Sequence, residues 1–465
     1  MAQQGGEDAQ VTCKFVTRLP AELRVPETPV AVPTNLTRYG LSQIINHLLA
    51  LDPARPFDFL IDGELLRLSL LKHLQAKQIS TEAVLEVEYV PAVLPPKPQE
   101  EHPHDDWVSC IAPLAAPGQV LASGCYDGIV RLWAAEADSG SGGDDGSLPL
   151  ASFAAHKGPI KAALAAPSGA GRLLVTAGND MVARVWRGVP EAAAAAAAAA
   201  GGGGAAQPEI VAVLRGHGEG IEAAVASTDG AWCCTGGWDS KLLLWRSGDS
   251  LLAAIEAGDD DEDQPEGKAA AAKKKRKVGA ANGVAAAVHE EGPRGDLSGH
   301  TQCVSGLAVA SAGTLVSGSW DHSVRIWDLE GQVNTETLNH NKAVYCVAAA
   351  PAAVGGAGLV AFGGAERSLR AWDPRARSSE GLALKALTSH TDWISGLAWH
   401  PSSPHHLASA SYDKSLKLWD LRAAVPLHTL EGYHADKALC CAWAGQGLLA
   451  SGGADCKLRT AEVAL

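Results

Sequence analysis

The sequence is short of the features that place a protein in a membrane, in a secretory pathway or in a metal-binding class. No apolar run in its 465 residues is long enough to span a bilayer. The first residues lack the basic and then apolar pattern of a secretory signal. The ten cysteines include no pair separated by two residues, which favours buried free thiols over zinc ligands or disulfides. We therefore expect no membrane insertion and no metal or cofactor of the chain's own.

The sequence also lacks the charge that nucleic-acid binding requires. Its formal net charge is −14, so the field of the whole molecule repels phosphate backbones. No stretch combines basic and aromatic residues in the way of a single-strand-binding platform. We expect no direct sequence-specific contact with RNA or DNA, and any work on nucleic acid should pass through protein partners.

A repeated cassette dominates the chain after residue 100. Short apolar stretches alternate with Gly, Ser, Asn and Asp, as in antiparallel strands joined by tight turns, and the cassette occurs seven times. In the clearest copies a hydroxyl residue stands four positions before an aspartate, and a tryptophan stands six positions after it. The histidines that precede the acids are His104, His156, His217, His300, His340, His390 and His434, and the acids are Asp127, Asp180, Asp239, Asp321, Glu366, Asp413 and Asp455.

These residue types predict a buried hydrogen-bond relay in each unit. The aspartate accepts from the histidine, the histidine meets the hydroxyl, and the hydroxyl meets the indole N–H; each group would cost about 1–3 kcal/mol if it were buried without a partner. A Ser-His-Asp catalytic triad would not be built seven times, so we interpret the relay as structural and the chain as a non-enzyme. The clearest tetrads are His300, Ser317, Asp321 and Trp327, and His390, Ser409, Asp413 and Trp419.

The pattern resembles the WD-repeat family, which implies a mainly β fold with a seven-bladed propeller over residues 91–465. Unit five has Phe362 and Glu366 at the hydroxyl and acid positions, and unit seven has Ala461 in place of tryptophan; we interpret both as weaker tetrads rather than missing blades. Blade seven needs an outer strand, which the N-terminal stretch commonly supplies in propellers, so that no edge stays exposed. The segment Val90–Pro98 is the candidate.

Residues 10–90 do not share the repeat and predict a small α+β domain, preceded by a disordered stretch at residues 1–9. An apolar stripe with helical spacing lies between predicted strands, and a shorter helix precedes the last strand. This order is that of a ubiquitin-like β-grasp domain. The predicted strands are Val11–Thr17, Leu23–Val32, Phe57–Ile61 and Leu85–Tyr89, and the helical stripe is Leu41, Ile44, Ile45, Leu48 and Leu49.

Three low-complexity insertions interrupt the propeller, near residues 138–147, 188–208 and 248–295, and we expect all three to be disordered surface loops. The third contains five consecutive cations that resemble the short basic type of nuclear localisation signal, which implies importin as a partner. A merely solvated charge cluster and a nonspecific RNA contact are the alternatives. The cations are Lys273, Lys274, Lys275, Arg276 and Lys277.

Three segments of the N-terminal domain resemble the Notchless-like domain: RYGLS at 38–42, PFDFLIDGELLR at 56–67 and LEVEY at 85–89. Such a domain ahead of a seven-bladed propeller resembles the ribosome-biogenesis WD-repeat family of the PeBoW complex. The resemblance implies a non-enzymatic assembly factor that acts in pre-rRNA processing and maturation of large-subunit preribosomes. It also implies Bop-type and Pescadillo-type partners and a location in the nucleolus and nucleoplasm.

The resemblance also implies a site in the N-terminal domain. In this family the domain is a ligand for a midasin-type AAA ATPase, and its key acid lies just before the last strand, which here is Glu82. A carboxylate on a rigid loop can complete the oxygen shell of a Mg²⁺ ion that the ATPase holds in its adhesion site. The local sequence alone favours an ordinary solvated loop residue at Glu82, and only the resemblance favours the metal contact.

The propeller would then be the anchor, with its loop-lined top face docked on the Bop-type protein. The candidate docking residues are Asp105, Trp107, Arg367, Asp392 and Trp393, each of which could instead serve its own blade. Two other functions compete with this one. A Notchless-type assembly factor shares the N-terminal domain but carries eight repeats. A ubiquitin-ligase substrate receptor would need a ligase-docking box, which we do not find before the propeller.

Overall fold

The computed structural model describes residues 10–80, 82–114, 120–134, 148–168, 171–189, 208–257, 288–351, 358–378 and 381–464. Strands predominate: one five-stranded sheet lies near the N-terminus, and seven further sheets follow. The expectations for residues 1–9, for the insertion at 138–147 and for the basic run at 273–277 fall outside the described residues, as does nearly all of the insertion at 188–208. Within the described ranges, no helix is both long and apolar enough to cross a membrane.

The N-terminal sheet is mixed, and its elements follow the predicted order along the chain, with one further short strand, β4, after β3. Its order is β2-β1-β5-β3-β4, with β1 and β5 parallel at the centre. The long helix contributes Leu41 and Ile45 to the same buried core as Phe15, Phe59 and Tyr89 of the strands. The elements are β1 (Gln10–Val16), a 3-10 turn (Ala21–Leu23), β2 (Val30–Pro33), α1 (Arg38–Leu49), β3 (Phe57–Ile61), β4 (Glu64–Leu65), α2 (Leu70–Lys77) and β5 (Leu85–Pro91).

The second strand is shorter than predicted. Residues 23–32 were expected to pair throughout, but the 3-10 turn occupies the start of this segment and pairing begins only at Val30. Pro26 and Pro29 have no N–H to donate, so the intervening residues cannot form a continuous ladder. The alternation of apolar residues alone did not reveal this interruption.

Seven sheets form the blades of a closed propeller. Their first strands contact one another in sequence around a ring, from β7 of blade one to β32 of blade seven and back to β7. Blades one to four are β7 (Val108–Leu114), β8 (Val120–Cys125), β9 (Ile129–Ala134) and β10 (Ala151–Ala154); β11 (Ile160–Ser168), β12 (Gly171–Gly178), β13 (Val182–Arg187) and β14 (Glu209–Arg215); β15 (Ile221–Ala226), β16 (Trp232–Gly237), β17 (Leu242–Arg246) and β19 (Gly295–Leu297); and β20 (Val304–Ser311), β21 (Thr314–Ser319), β22 (Ser323–Asp328) and β23 (Val333–Asn339). Blades five to seven are β24 (Val344–Ala349), β25 (Val360–Gly364), β26 (Ser368–Ser378) and β27 (Gly381–Thr388); β28 (Ile394–Trp399), β29 (His406–Ser411), β30 (Leu416–Asp420) and β31 (His428–Leu430); and β32 (Ala438–Ala444), β33 (Leu448–Gly453), β34 (Lys457–Glu462) and β6 (Lys97–Pro103).

An N-terminal strand closes the ring, as expected, but it lies further along the chain than the candidate Val90–Pro98. The closing strand is β6, which pairs antiparallel with β34 from Lys97 opposite Glu462 to Pro103 opposite Lys457. Val90 belongs instead to β5, where it pairs with Asp58. The apolar character of Val90 serves the N-terminal sheet, whereas the outer strand of blade seven is largely solvent-facing and polar.

The long insertion lies within blade three, between β17 and β19, and is structured at both ends, contrary to the expectation of a disordered loop. It begins with helix α3 (Gly248–Ala257), whose buried Leu251 joins the apolar core of blades two and three. After residues 258–287, which are outside the described ranges, β18 (His289–Glu291) adds a fifth, parallel strand to blade two. The buried Glu291 carboxylate pairs with Arg246 at 2.8 Å, and β19 then completes blade three.

Candidate partner-binding surfaces and the repeat tetrads

Four blades contain the complete relay that the sequence predicts. In blade four, His300 Nδ1 lies 2.8 Å from the Asp321 carboxylate and Nε2 lies 2.6 Å from the Ser317 hydroxyl. The same hydroxyl accepts the indole N–H of Trp327 at 2.8 Å. The corresponding groups are His390, Asp413, Ser409 and Trp419 in blade six, His156, Asp180, Thr176 and Trp186 in blade two, and His217, Asp239, Thr235 and Trp245 in blade three.

The relay fixes the charges of its members. Burial alone would raise the pKa of Asp321, but hydrogen bonds from His300 and Ser323 outweigh burial and hold this pKa well below its usual range. Burial lowers the pKa of His390 despite its contact with Asp413, so the imidazole is neutral at pH 7. Each hydroxyl already bonds to a histidine and a tryptophan. These Ser, His and Asp residues therefore stabilise the strands of their own blade.

Blade five keeps only part of the relay. His340 Nε2 lies 2.7 Å from Glu366, as the sequence position suggests. Phe362 replaces the hydroxyl and meets the His340 ring edge-on, with centroids 5.5 Å apart. The buried Trp372 Nε1 therefore has no hydrogen-bond partner among the described residues. The blade nevertheless has all four strands, so it is a weaker tetrad and not a missing blade.

Blade one differs from the prediction, and blade seven follows it except for its tryptophan. His104 bonds to Ser123 at 2.7 Å, but its Nδ1 lies 3.1 Å from the His102 carbonyl instead of meeting Asp127. Asp127 pairs instead with Arg131 at 2.8 Å. In blade seven the histidine bonds to both its acid and its hydroxyl, and the Ala461 substitution removes only the indole contact.

Glu82 lies on the short loop between α2 and β5. Its main-chain N–H donates to the Ser80 hydroxyl at 3.3 Å, and its side chain is exposed. The carboxylate has no hydrogen-bond or ion-pair partner among the residues that the structure describes. The neighbouring Val84 is also exposed, at 56%. The acid is therefore presented to solvent and available to a cation on another molecule.

Five aromatic side chains form a continuous arc across blades three to six, which we call the aromatic arc: Trp238, Trp320, Tyr345, Trp393 and Tyr412. Successive ring centroids lie 4.7, 5.6, 5.5 and 5.8 Å apart. Trp238 is 41% and Trp393 44% exposed. Large, rigid, half-exposed aromatic rings of this kind are typical anchors in protein interfaces.

The arc continues into blades one and two through polar contacts. Trp238 Nε1 donates to Glu222 at 3.2 Å, and Lys161 Nζ lies 3.2 Å from the same carboxylate. Lys161 also donates to the Tyr126 hydroxyl at 2.9 Å, and the Tyr126 ring lies 5.3 Å from that of Trp107. The aromatic rings and the Lys161–Glu222 ion pair thus form one continuous series of contacts across blades one to six.

Two of the predicted docking residues have ring contacts on this surface, whereas the other three do not. Trp393 lies in the arc, and Trp107 pairs with Tyr126. Asp105 pairs with Arg131 of its own blade at 2.5 Å, and Asp392 accepts the main-chain N–H of Trp393 at 2.8 Å. Arg367 is exposed in blade five.

The sequence analysis missed most of the arc, although the repeat contained a signal for it. Four of the missed aromatic residues directly precede the repeat acid of their unit: Tyr126, Trp238, Trp320 and Tyr412. The turn that buries the acid leaves this preceding side chain at the surface. Tyr345 is instead the second residue of β24, and no repeat acid directly follows it in the sequence.

Profiles of two families match the chain. The NLE (NUC135) domain matches residues 11–74, and the WD domain, G-beta repeat, matches residues 97–134, 147–187, 208–246, 292–328 and 381–420. These repeats cover blades one, two, three, four and six. The three inner strands of blades five and seven, which carry Phe362 and Ala461, lie outside the matched ranges.

Curated relatives match the whole length of the chain. A ribosome biogenesis protein WDR12 homolog of Chlamydomonas reinhardtii is 46% identical over 98% of both chains. A protein of the same description from Arabidopsis thaliana is 37% identical over 98% of this chain and 97% of the relative. The ribosome biogenesis protein YTM1 of Eremothecium gossypii is 32% identical over 97% of each. The chain therefore belongs to the WDR12/YTM1 family of ribosome biogenesis proteins.

Proposed function

We propose that this ribosome biogenesis factor is a non-catalytic scaffold in the maturation of large-subunit precursors. The propeller docks on a Bop-type protein that also carries a Pescadillo-type protein, and the N-terminal domain offers Glu82 to a midasin-type AAA ATPase that removes the scaffold. Family membership supports the pathway. The roles of the two surfaces rest on their geometry.

The observation that carries the proposal is the exposed Glu82 carboxylate without a partner among the described residues. A carboxylate is a favoured ligand for Mg²⁺, which commonly keeps exchangeable water in its shell. Glu82 can therefore supply one oxygen to an ion held by the ATPase. The Glu82 N–H donates to the Ser80 hydroxyl at 3.3 Å, and the carboxylate is left exposed to a partner. The chain needs no metal ligands of its own for this contact.

The aromatic arc supports the docking part of the proposal. Its exposed tryptophans lie on a rigid disc of seven blades, so binding costs little conformational entropy. The five consecutive cations at 273–277 would let importin carry the chain into the nucleus. We further propose that it acts in the nucleolus and nucleoplasm.

Binding of the full chain to the isolated adhesion-site domain of the ATPase, with Mg²⁺, tests the role of Glu82. We expect Glu82→Ala and Glu82→Gln to lose at least tenfold in affinity, because neither side chain supplies an anionic ligand. Glu82→Asp should retain part of the binding. Glu22→Gln is the matched control, since Glu22 is another exposed acid of the same domain. Equal affinities of wild type and Glu82→Ala would exclude the contact.

A further inference from the structure

The N-terminal domain lies directly on blade six. Leu60 and Leu65, from the sheet face opposite α1, form a small buried cluster with Ala423. The Leu65 N–H also donates to the main-chain carbonyl of Arg422 at 3.1 Å. Few apolar residues contribute to this contact compared with the core of either domain. It therefore orients the N-terminal domain but offers a limited resistance to separation.

The linker between the domains is short and has an anchor of its own. Only residues 92–96 separate β5 from β6. Val93 is buried in the apolar cluster of blades six and seven, and its carbonyl oxygen lies 2.9 Å from His428 Nε2. The next element is the closing strand itself. Tension on the N-terminal domain therefore reaches β6 after two contacts have broken: that of the domain with blade six and that of Val93 with its apolar cluster.

The first half of the closing strand is weakly held. Lys97, Pro98 and Gln99 are exposed, and Pro98 has no N–H to give to the ladder. The pairing with β34 is irregular between Arg459 and Ala461. These features lie at the end of the strand that tension from the linker reaches first.

The second half of the closing strand holds more firmly. Glu101 forms ion pairs with Lys457 and with Arg459, the latter at 2.8 Å. His102 is buried and stacks on the Trp133 ring with centroids 4.4 Å apart. If β6 is pulled from Lys97, its first residues should therefore detach before the contacts of Glu101 and His102 break.

We propose that β6 is a force-sensitive latch, so that tension applied at Glu82 extracts this strand and opens the propeller ring. The inference rests on the proposed function for the source of the tension, since the ATPase would pull at Glu82. Extraction of β6 would remove the outer strand of blade seven and the stacking of His102 on Trp133, which joins blade seven to blade one, and so disturb the docking face. The scaffold would then leave its docking partner because its docking face is deformed, and the applied force need not break the intact interface.

Force spectroscopy on the full chain tests the latch without the ATPase. Glu82 and Asp392 are each replaced by an azide-bearing residue for attachment of the handles. We expect an early rupture that lengthens the molecule by about 40 Å, from twelve residues at about 3.3–3.6 Å each. A disulfide between Lys97→Cys and Glu462→Cys, which oppose each other in the ladder, should abolish this rupture. Reduction should restore it.

A second disulfide and a weakening variant serve as controls. Ile129→Cys with Ala154→Cys joins the outer strands of blade one, which lie outside the load path, and should leave the first rupture unchanged. Glu101→Ala should lower its force, because the ion pairs with Lys457 and Arg459 are lost. An early rupture that persists in the oxidised Lys97/Glu462 variant, or a force unaffected by Glu101→Ala, would overturn the latch. Such a failure would leave the separately measured affinity of Glu82 untouched.

Discussion

His102 of the closing strand stacks on Trp133 of blade one, with ring centroids 4.4 Å apart and planes inclined by 26°. Only 3% of the surface of this histidine is exposed. The contact joins β6, which arrives from the N-terminal domain, to the tryptophan of the first tetrad. The closure of the ring thus depends on a buried imidazole at the boundary between blades seven and one.

The first prediction concerns the pH dependence of stability. Burial lowers the pKa of both His102 and His104 to about 4, whereas a histidine of the unfolded chain titrates near 6.5. Below pH 6.5 the unfolded state therefore binds protons that the folded state does not. The free energy of unfolding should fall by about 1.4 kcal/mol per pH unit for each group until about pH 4, with no such loss above pH 6.5.

Urea unfolding at pH 7.5 and at pH 5 measures this effect, since carboxylates remain largely ionised over that interval. We expect His102→Phe, which keeps an aromatic ring against Trp133, to lose less stability between the two values than the wild type. His322→Asn is the control, because His322 is exposed and its left-handed backbone, with φ of 68°, suits asparagine. An identical loss in the wild type and His102→Phe would contradict the prediction.

The second prediction compares the same substitution in two blades. Trp372→Phe removes an indole N–H that has no partner among the described residues, whereas Trp419→Phe removes one that donates to Ser409 at 2.8 Å. Both changes leave a similar gap in a buried aromatic site. We expect Trp419→Phe to cost about 1–3 kcal/mol more than Trp372→Phe in chemical denaturation, because it leaves a buried hydroxyl with one bond fewer. Equal costs would mean that the relay contributes little to stability.

The repeat allowed the propeller to be predicted because its signals are local. The tetrads of blades four and six have the predicted contacts. In these segments the alternation of apolar residues, the turn residues and the tetrad chemistry all favour one arrangement.

The features that could not be predicted depend on contacts between distant segments. The closing strand is polar and contains Pro98, so nothing local marks it as a strand; its pairing with β34 defines it. The sequence does not reveal helix α3, because its apolar residues are stabilised only by packing against blades two and three. The aromatic arc arises from side chains on four neighbouring blades, and only the packing of these blades against one another brings the rings into contact.

The third prediction concerns nuclear import. Replacing residues 273–277 with alanine should abolish nuclear accumulation and leave the thermal midpoint unchanged, because α3, β18 and β19 at the base of the insertion are retained. A fluorescent reporter fused to residues 268–282 removes the possibility of import on a bound partner. Alanines at the acidic run 259–263 provide the matched control. Accumulation of the reporter without the five cations would exclude this signal.

The last prediction concerns the aromatic arc. Trp393 is 44% exposed and lies between Tyr345 and Tyr412, with ring centroids 5.5 and 5.8 Å away. If this surface docks the Bop-type protein, Trp393→Ser should weaken binding by about 2 kcal/mol or more, the size expected for a central aromatic anchor. Val333→Ser is the control, because Val333 is 52% exposed on the outer strand of blade four. Titration calorimetry with the purified partner measures both. If only Trp393→Ser loses binding free energy, the interface includes the aromatic arc. An equal loss of binding free energy in Val333→Ser would instead place the interface on the outer rim of the propeller.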